Sequence, residues 1–247
     1  MNDTPLVFRL RSLIITSVFI LGFFAPWDRF LHLDSSRTVW LFLASSLATH
    51  HWLSFTAATI AVLIAGILCA VAAASLRTWA TAYMDISVVK DRAMHSDQVV
   101  AAGPYRFLRN PLYLGTFIHT LALTLLMPLT GAIFVIIIIG LFVLRLVAVE
   151  EAFLTKTLGE PYLAYRAKVP SLFPVFTPRV AASPMQPKWP SAFVGESYYW
   201  GSAISFLALG WRYNSLLIIQ GVVVSFGISI VARAFIRKPP VTRPASS

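Results

Sequence analysis

Long apolar runs alternate with polar, proline-bearing stretches along this chain, and the runs have the length of membrane helices. Six of them, at 13–27, 56–76, 112–127, 132–149, 198–211 and 215–236, reach or approach the roughly 20 residues that cross a hydrocarbon core. A seventh stretch, 39–53, is interrupted by His50, His51 and several Ser and Thr residues, and reads as an interfacial helix. The first run lacks a small-residue cleavage site, so it reads as a retained helix rather than a removed signal peptide. Between the third and fourth runs lies only Met-Pro-Leu-Thr-Gly, residues 127–131, which predicts a tight turn and an antiparallel hairpin. The pattern predicts an all-α fold: a polytopic transmembrane helical bundle of about six spans.

Composition agrees, and charge adds an orientation. Hydrophobic residues make up 57% of the chain and charged residues 12%, about half the charged share of a soluble domain. The net charge of +10 would suggest nucleic acid in a soluble protein, but the cations sort by side. With a cytoplasmic N-terminus, sixteen Lys and Arg fall inside and only Arg29, Arg37 and Arg212 outside, with Arg145 near the inner end of the fourth run. This predicts a multi-pass cell-membrane protein with both termini cytoplasmic, whose basic face meets anionic headgroups instead of nucleic acid. Cys69, the single cysteine, lies inside an apolar run, and no two histidines have the spacing of a helix-borne zinc site, so no metal is expected. No two of the twelve glycines are separated by one residue, which excludes a G-x-G-x-x-G turn.

Candidate chemistry concentrates in two places. Residues 103–115, Gly-Pro-Tyr-Arg-Phe-Leu-Arg-Asn-Pro-Leu-Tyr-Leu-Gly, set arginines and tyrosines against a helix mouth. Asn110 suits an N-cap and Pro111 a first helical position, so a helix is predicted to start there with its free N–H groups able to hold a carboxylate or phosphate. The second place is the Glu150-Glu151 pair at the foot of the fourth run, where a helix C-terminus disfavours acids unless Arg109, Arg145 or a cation compensates. The hairpin should bring Arg109, Asn110 and Tyr113 close to this pair. His95 could reach the same site, while His119, inside the third run, reads as a packing residue. Beyond Glu151 the spacing predicts a short amphipathic segment, a corner at Gly159 and a second short helix ended by Pro170. The organisation expected is an N-terminal span and interfacial segment (1–55), a core (56–174), a Pro-rich linker (175–197), a C-terminal transmembrane hairpin (198–236) and a disordered tail (237–247).

These motifs, in this order, resemble the isoprenylcysteine carboxyl methyltransferase and phospholipid methyltransferase group of integral membrane enzymes. The resemblance rests on Gly103-Pro104-Tyr105, Arg109-Asn110-Pro111-Leu112-Tyr113-Leu114-Gly115, Glu150-Glu151, Leu158-Gly159-Glu160-Pro161-Tyr162 with Tyr165, and Val169-Pro170. It departs at Asn110, where that group often has His, so a titrating base is not expected at this position. It implies S-adenosylmethionine as cofactor, held on the hairpin without a Rossmann domain, with contacts from Asp97, Gln98, Val99, Val100, Tyr105, Asn110, Pro111, Leu112, Tyr113 and Glu150. Methyl transfer then needs an acceptor lone pair held near the methyl carbon and water excluded. Arg109 or Arg145 would clamp a carboxylate acceptor, and Glu151 or water would take the proton of an amine. The expected acceptor is a lipid or amphipathic small molecule, with the active site on the cytoplasmic side. A membrane reductase of the sterol-reductase type, using a nicotinamide cofactor, and a non-enzymatic protein retaining the fold are the alternatives.

Overall fold

The structure, a computed structural model, describes residues 10–24, 37–84, 101–182 and 184–234. Those residues form nine α-helices: α1 (Arg11–Phe24), α2 (Val39–Thr49), α3 (Phe55–Ala82), α4 (Pro111–Thr124), α5 (Leu129–Leu158), α6 (Glu160–Lys168), α7 (Trp189–Gly195), α8 (Ser197–Leu209) and α9 (Ser215–Ala234). Two 3₁₀ turns, Gly103–Arg106 and Gly210–Arg212, complete them, and among the described residues there is no β-strand.

Local chemistry sets the helix ends. The hydroxyls of Thr38 and Ser54 accept the N–H groups of Leu41 and Ala57 at 3.3 and 3.2 Å, capping α2 and α3 where the chain leaves extended conformation. Gly159 closes α5 with φ 61° and ψ −137°, a conformation that side chains clash in, so the corner falls at the glycine the sequence marks. The segment after Val149 is not a separate helix, however. It continues α5 without a break to 30 residues, about 45 Å. Glu150 stands about 32 Å along that helix from Leu129, near the roughly 30 Å depth of a hydrocarbon core, so the carboxylates sit where the spanning part ends.

Three helices, α3, α5 and α9, are long and apolar enough to cross a membrane. The protein is therefore a polytopic membrane protein. The other three predicted spans form the shorter helices α1, α4 and α8, of 14, 14 and 13 residues, or about 20 Å each. Contacts at their ends show these six helices alternating in direction. The C-terminal part of α3 lies by the start of α4, where Arg77 meets Leu112. The foot of α5 lies by the same start, through Tyr113 and Glu150. Glu196, just before α8, meets Arg77, and Arg233 near the end of α9 donates to the Gly195 carbonyl at 2.6 Å. Polar side chains thus collect at one end of the bundle. At the other end the backbone N–H groups of Val39 and Trp40 donate to Met127 and Leu125 in the α4–α5 turn.

The core, with α3 at its centre against α2, α4, α7 and α8, is built from Leu63, Leu123, Met127, Val135, Ile139 and Phe206, all nearly inaccessible. Close approach of α1 to α5 depends on two glycines: a Cβ on Gly131 would lie 2.0 Å from the Gly22 carbonyl oxygen. Small residues at a crossing are how helices gain dispersion contact where lipid offers no hydrophobic drive. Outward, α5 exposes Ile133, Ile137, Leu141 and Leu144, a lipid-facing stripe.

Candidate active site

The hairpin of α4 and α5 brings together the two places that carry the sequence's chemistry, and it gives the adjacent glutamates different work. Glu151 is buried and saturated. Arg109 grips it through both oxygens, Nε to Oε1 and Nη2 to Oε2, each at 3.0 Å. The Asn110 amide donates to Oε1 at 2.8 Å and the Ser171 hydroxyl at 3.0 Å, while Arg166 approaches Oε2 at 3.5 Å. Arg109 is equally committed: its Nη1 donates to the Arg166 and Val169 carbonyls at 2.7 and 2.6 Å. Four of the five N–H donors of a guanidinium are thereby used within the protein. The expected roles of Arg109 as an acceptor clamp and of Glu151 as a proton acceptor do not fit this geometry. The pair instead holds α5, α6 and the loop before α4 together.

The backbone completes that clasp. Arg109 and Asn110 donate their N–H groups to the Pro170 and Ser171 carbonyls, Val175 donates to Phe107, and Arg179 to Arg106. Residues 170–180 run along the 106–110 loop, so the first part of the expected linker is fixed to the site. Its last part is also structured: α7 occupies 189–195, and Lys188 donates its N–H to Ala82 at the end of α3. Pro190 lies in the first turn of α7, where a missing N–H costs nothing.

Because the Asn110 amide turns to Glu151 and Ser171, it does not cap α4, contrary to expectation. Its Nδ2 is committed to these acceptors, and its Oδ1 accepts no helix N–H. The N–H groups of Leu112 and Tyr113 consequently have no hydrogen-bond partner among the described residues, and Pro111 has none to offer. Facing this open helix start, the Tyr113 hydroxyl donates to Glu150 Oε2 at 2.7 Å. Glu150 is half-buried, and its other oxygen has no partner among the described residues. The 3₁₀ turn at Gly103–Arg106 carries Tyr105, which lies close enough to feel the Glu150 and Arg77 charges. Gly103 has φ 54°, and a Cβ there would strike the Tyr83 ring at 2.4 Å. The Tyr105 carbonyl accepts the Tyr165 hydroxyl at 2.7 Å. Burial, and then the Glu150 charge, push the Tyr105 phenol well above its ordinary range, so it stays protonated.

Of the other expected residues, Arg145 is not brought in. It is exposed on α5 beside Leu144, without hydrogen bond or ion pair among the described residues. Asp97, Gln98, Val99 and Val100, with His95, lie outside the described residues, as does the tail 237–247. His119 packs as expected, buried against Tyr198 and Tyr199, with Nε2 3.1 Å from the Tyr198 hydroxyl. Sequence reasoning missed Ser171 and Arg166, and it missed a second buried ion pair, Arg77 with Glu196 at 2.7 Å. A signal for the latter existed: each is an isolated charge at the edge of an apolar run, where a partner is to be expected.

Comparison with known proteins adds one finding. No curated protein and no solved structure matches the chain. Residues 53–161 match the model of the phospholipid methyltransferase family, and this stretch holds α3, α4 and α5 with the 3₁₀ turn, Tyr105, Arg109, Asn110, Tyr113 and both glutamates. The helical hairpin and the site it carries are thus similar to the phospholipid methyltransferase family, a likeness that supports a membrane methyltransferase.

Proposed function

We propose that the protein transfers a methyl group from S-adenosylmethionine to a lipid or amphipathic small molecule at the cytoplasmic face of the cell membrane. The observation that carries this reading is the uncapped start of α4 beside a carboxylate oxygen that no described residue engages. The residues present fit the cofactor's groups. The Leu112 and Tyr113 N–H groups, at the positive end of the helix dipole, suit its carboxylate. The second oxygen of Glu150 suits its ammonium group or ribose hydroxyls, and the Tyr105 and Tyr113 rings suit its adenine. When bound, this cofactor supplies a methyl group on a sulfonium, which any well-placed lone pair can take by in-line displacement.

What the chain's own residues contribute is placement. Arg109 and Glu151 fix the loop before α4 against α5 and α6, and the protonated Tyr105 lies within reach of the Glu150 charge. With those two side chains consumed and Arg145 directed outward, neither a cationic clamp nor a general base remains among the side chains assigned to acid–base work. This favours an acceptor that presents its lone pair unaided. The site's position at the membrane boundary favours one that arrives through the lipid.

Titrating the detergent-solubilised protein with S-adenosylmethionine in a calorimeter tests the cofactor; no heat of binding, with saturable binding of a reduced nicotinamide cofactor, would place the protein with the reductases. Incubation with methyl-labelled cofactor, membrane lipids and a cytosolic small-molecule fraction tests the acceptor, and label found only in water-soluble products would refute a lipid. For orientation, a probe cysteine at Ser246 in a Cys69-free background should resist an impermeant reagent added outside intact cells; ready labelling would reverse the topology.

A further inference from the structure

Arg77 and Glu196 are 119 residues apart, and Glu196 lies beyond the family-matched stretch, yet their side chains meet at 15% and 7% exposure. The guanidinium donates Nε to Glu196 Oε2 at 2.7 Å and Nη2 to Oε1 at 3.2 Å. Its Nη1 donates to the Leu112 carbonyl at 3.0 Å and to the Thr116 hydroxyl at 2.8 Å. The Tyr199 ring covers it at 4.1 Å, and the Thr81 hydroxyl donates to Glu196 at 2.8 Å. Gly115 makes room for the stem: a Cβ there would lie 2.5 Å from Arg77 Cγ. With four of five donors already satisfied, this arginine has little left for a ligand. What it does have is a grip on the first two turns of α4, including the residue whose N–H is open.

We propose that Glu196 is a positioning residue for the cofactor site. Through Arg77, the junction of α7 and α8 fixes the lateral position of the first two turns of α4, so the C-terminal hairpin is a working part of the methyltransferase. This rests on the proposed cofactor reading. A bidentate ion pair is suited to the task because it sets angle as well as distance, whereas the apolar α3–α4 contact around it tolerates sliding. The alternative is a pair that only stabilises the bundle. The two differ in one respect. Removing both charges relieves the burden of an unpaired buried ion, but it does not restore the contacts with Leu112 and Thr116.

The test uses the full chain in detergent and measures melting temperature together with calorimetric affinity for S-adenosylmethionine. In Glu196→Gln both should fall, the affinity by about tenfold, the low end of the loss when an outer support of a bound group is removed. In the double variant Arg77→Met with Glu196→Gln, melting should return toward wild type while affinity stays about tenfold down. Recovery of affinity along with melting overturns the proposal and leaves the pair a purely structural one. So does unchanged affinity in Glu196→Gln. If that single variant does not fold, the double variant decides alone, wild-type affinity refuting and weakened affinity supporting. Absence of binding by the wild-type protein is a different failure, since it removes the cofactor reading itself and this inference with it.

Discussion

Two adjacent carboxylates with opposite duties make a sharp prediction, because the same conservative substitution should do different things one residue apart. Glu151→Gln replaces an oxygen that meets Arg109 with an amide donor and leaves the guanidinium, 10% exposed, facing another donor. Breaking one side of a buried pair costs about 3–5 kcal/mol. Arg109 keeps two carbonyl acceptors, on Arg166 and Val169, and the glutamine oxygen can still accept from Asn110 or Ser171, so the low end, about 3 kcal/mol, applies. For a protein of this size each kcal/mol moves the melting point by about 2–4 °C, giving a drop of roughly 6–12 °C. Glu150→Gln keeps an oxygen for the Tyr113 hydroxyl and loses no ion pair, so its melting point should change by no more than about 2 °C, as for about 0.5 kcal/mol. Its effect should fall on the cofactor, with affinity reduced by roughly thirtyfold or more, since a charge partner within a ligand site commonly contributes about 2–5 kcal/mol. Thermal unfolding followed by circular dichroism and calorimetric titration of each variant supply the two readouts. A Glu151→Gln protein that melts with the wild type, or a Glu150→Gln protein with unaltered affinity, would refute the division of labour.

Three further outcomes are expected. Gly159→Ala forces a side chain into φ 61°, ψ −137°, with no neighbour within 4 Å to blame, and should cost about 1–3 kcal/mol purely in backbone strain; a melting point equal to wild type would show that the corner relaxes freely. Arg145→Ala should leave cofactor affinity and methyl transfer unchanged, and a selective loss of transfer would return this exposed arginine to the role of acceptor clamp. Tyr162 is buried, which raises its phenol to about 12, with the Glu151 charge adding to the effect. The unfolded chain ionises it near 10, so the folded state holds the proton longer; stability present below pH 10 should decline as pH climbs from 10 toward 12, and melting curves across that range that show no decline would contradict it.

Much of this molecule was legible because membrane helices announce themselves by composition, and because glycine and proline have local meanings that tertiary structure seldom overrides. The six helices, the α4–α5 hairpin and the corner at Gly159 all follow from such signals. The meeting of Arg109, Asn110 and Tyr113 with the glutamate pair needed only the hairpin and the 1.5 Å rise of a helix. Where the reading went astray, competition between partners was responsible. Asn110 has the chemistry of a cap, but its Nδ2 is drawn to a carboxylate 2.8 Å away and its side chain makes no capping bond, so no described side chain caps the helix start. Arg109 and Glu151 looked like reagents because each is a charge at a membrane boundary. What the sequence hid was the other half of the bond, since Ser171 and the carbonyls of Arg166 and Val169 become neighbours only after Gly159 turns the chain back. Arg77 and Glu196 were harder still, since pairing them requires knowing that α8 lies against α3. The distinction that matters for function, between charges that hold the site and charges left for a ligand, is a matter of counting donors and acceptors. At the mouth of α4 that count leaves two backbone N–H groups and one carboxylate oxygen without a partner among the described residues.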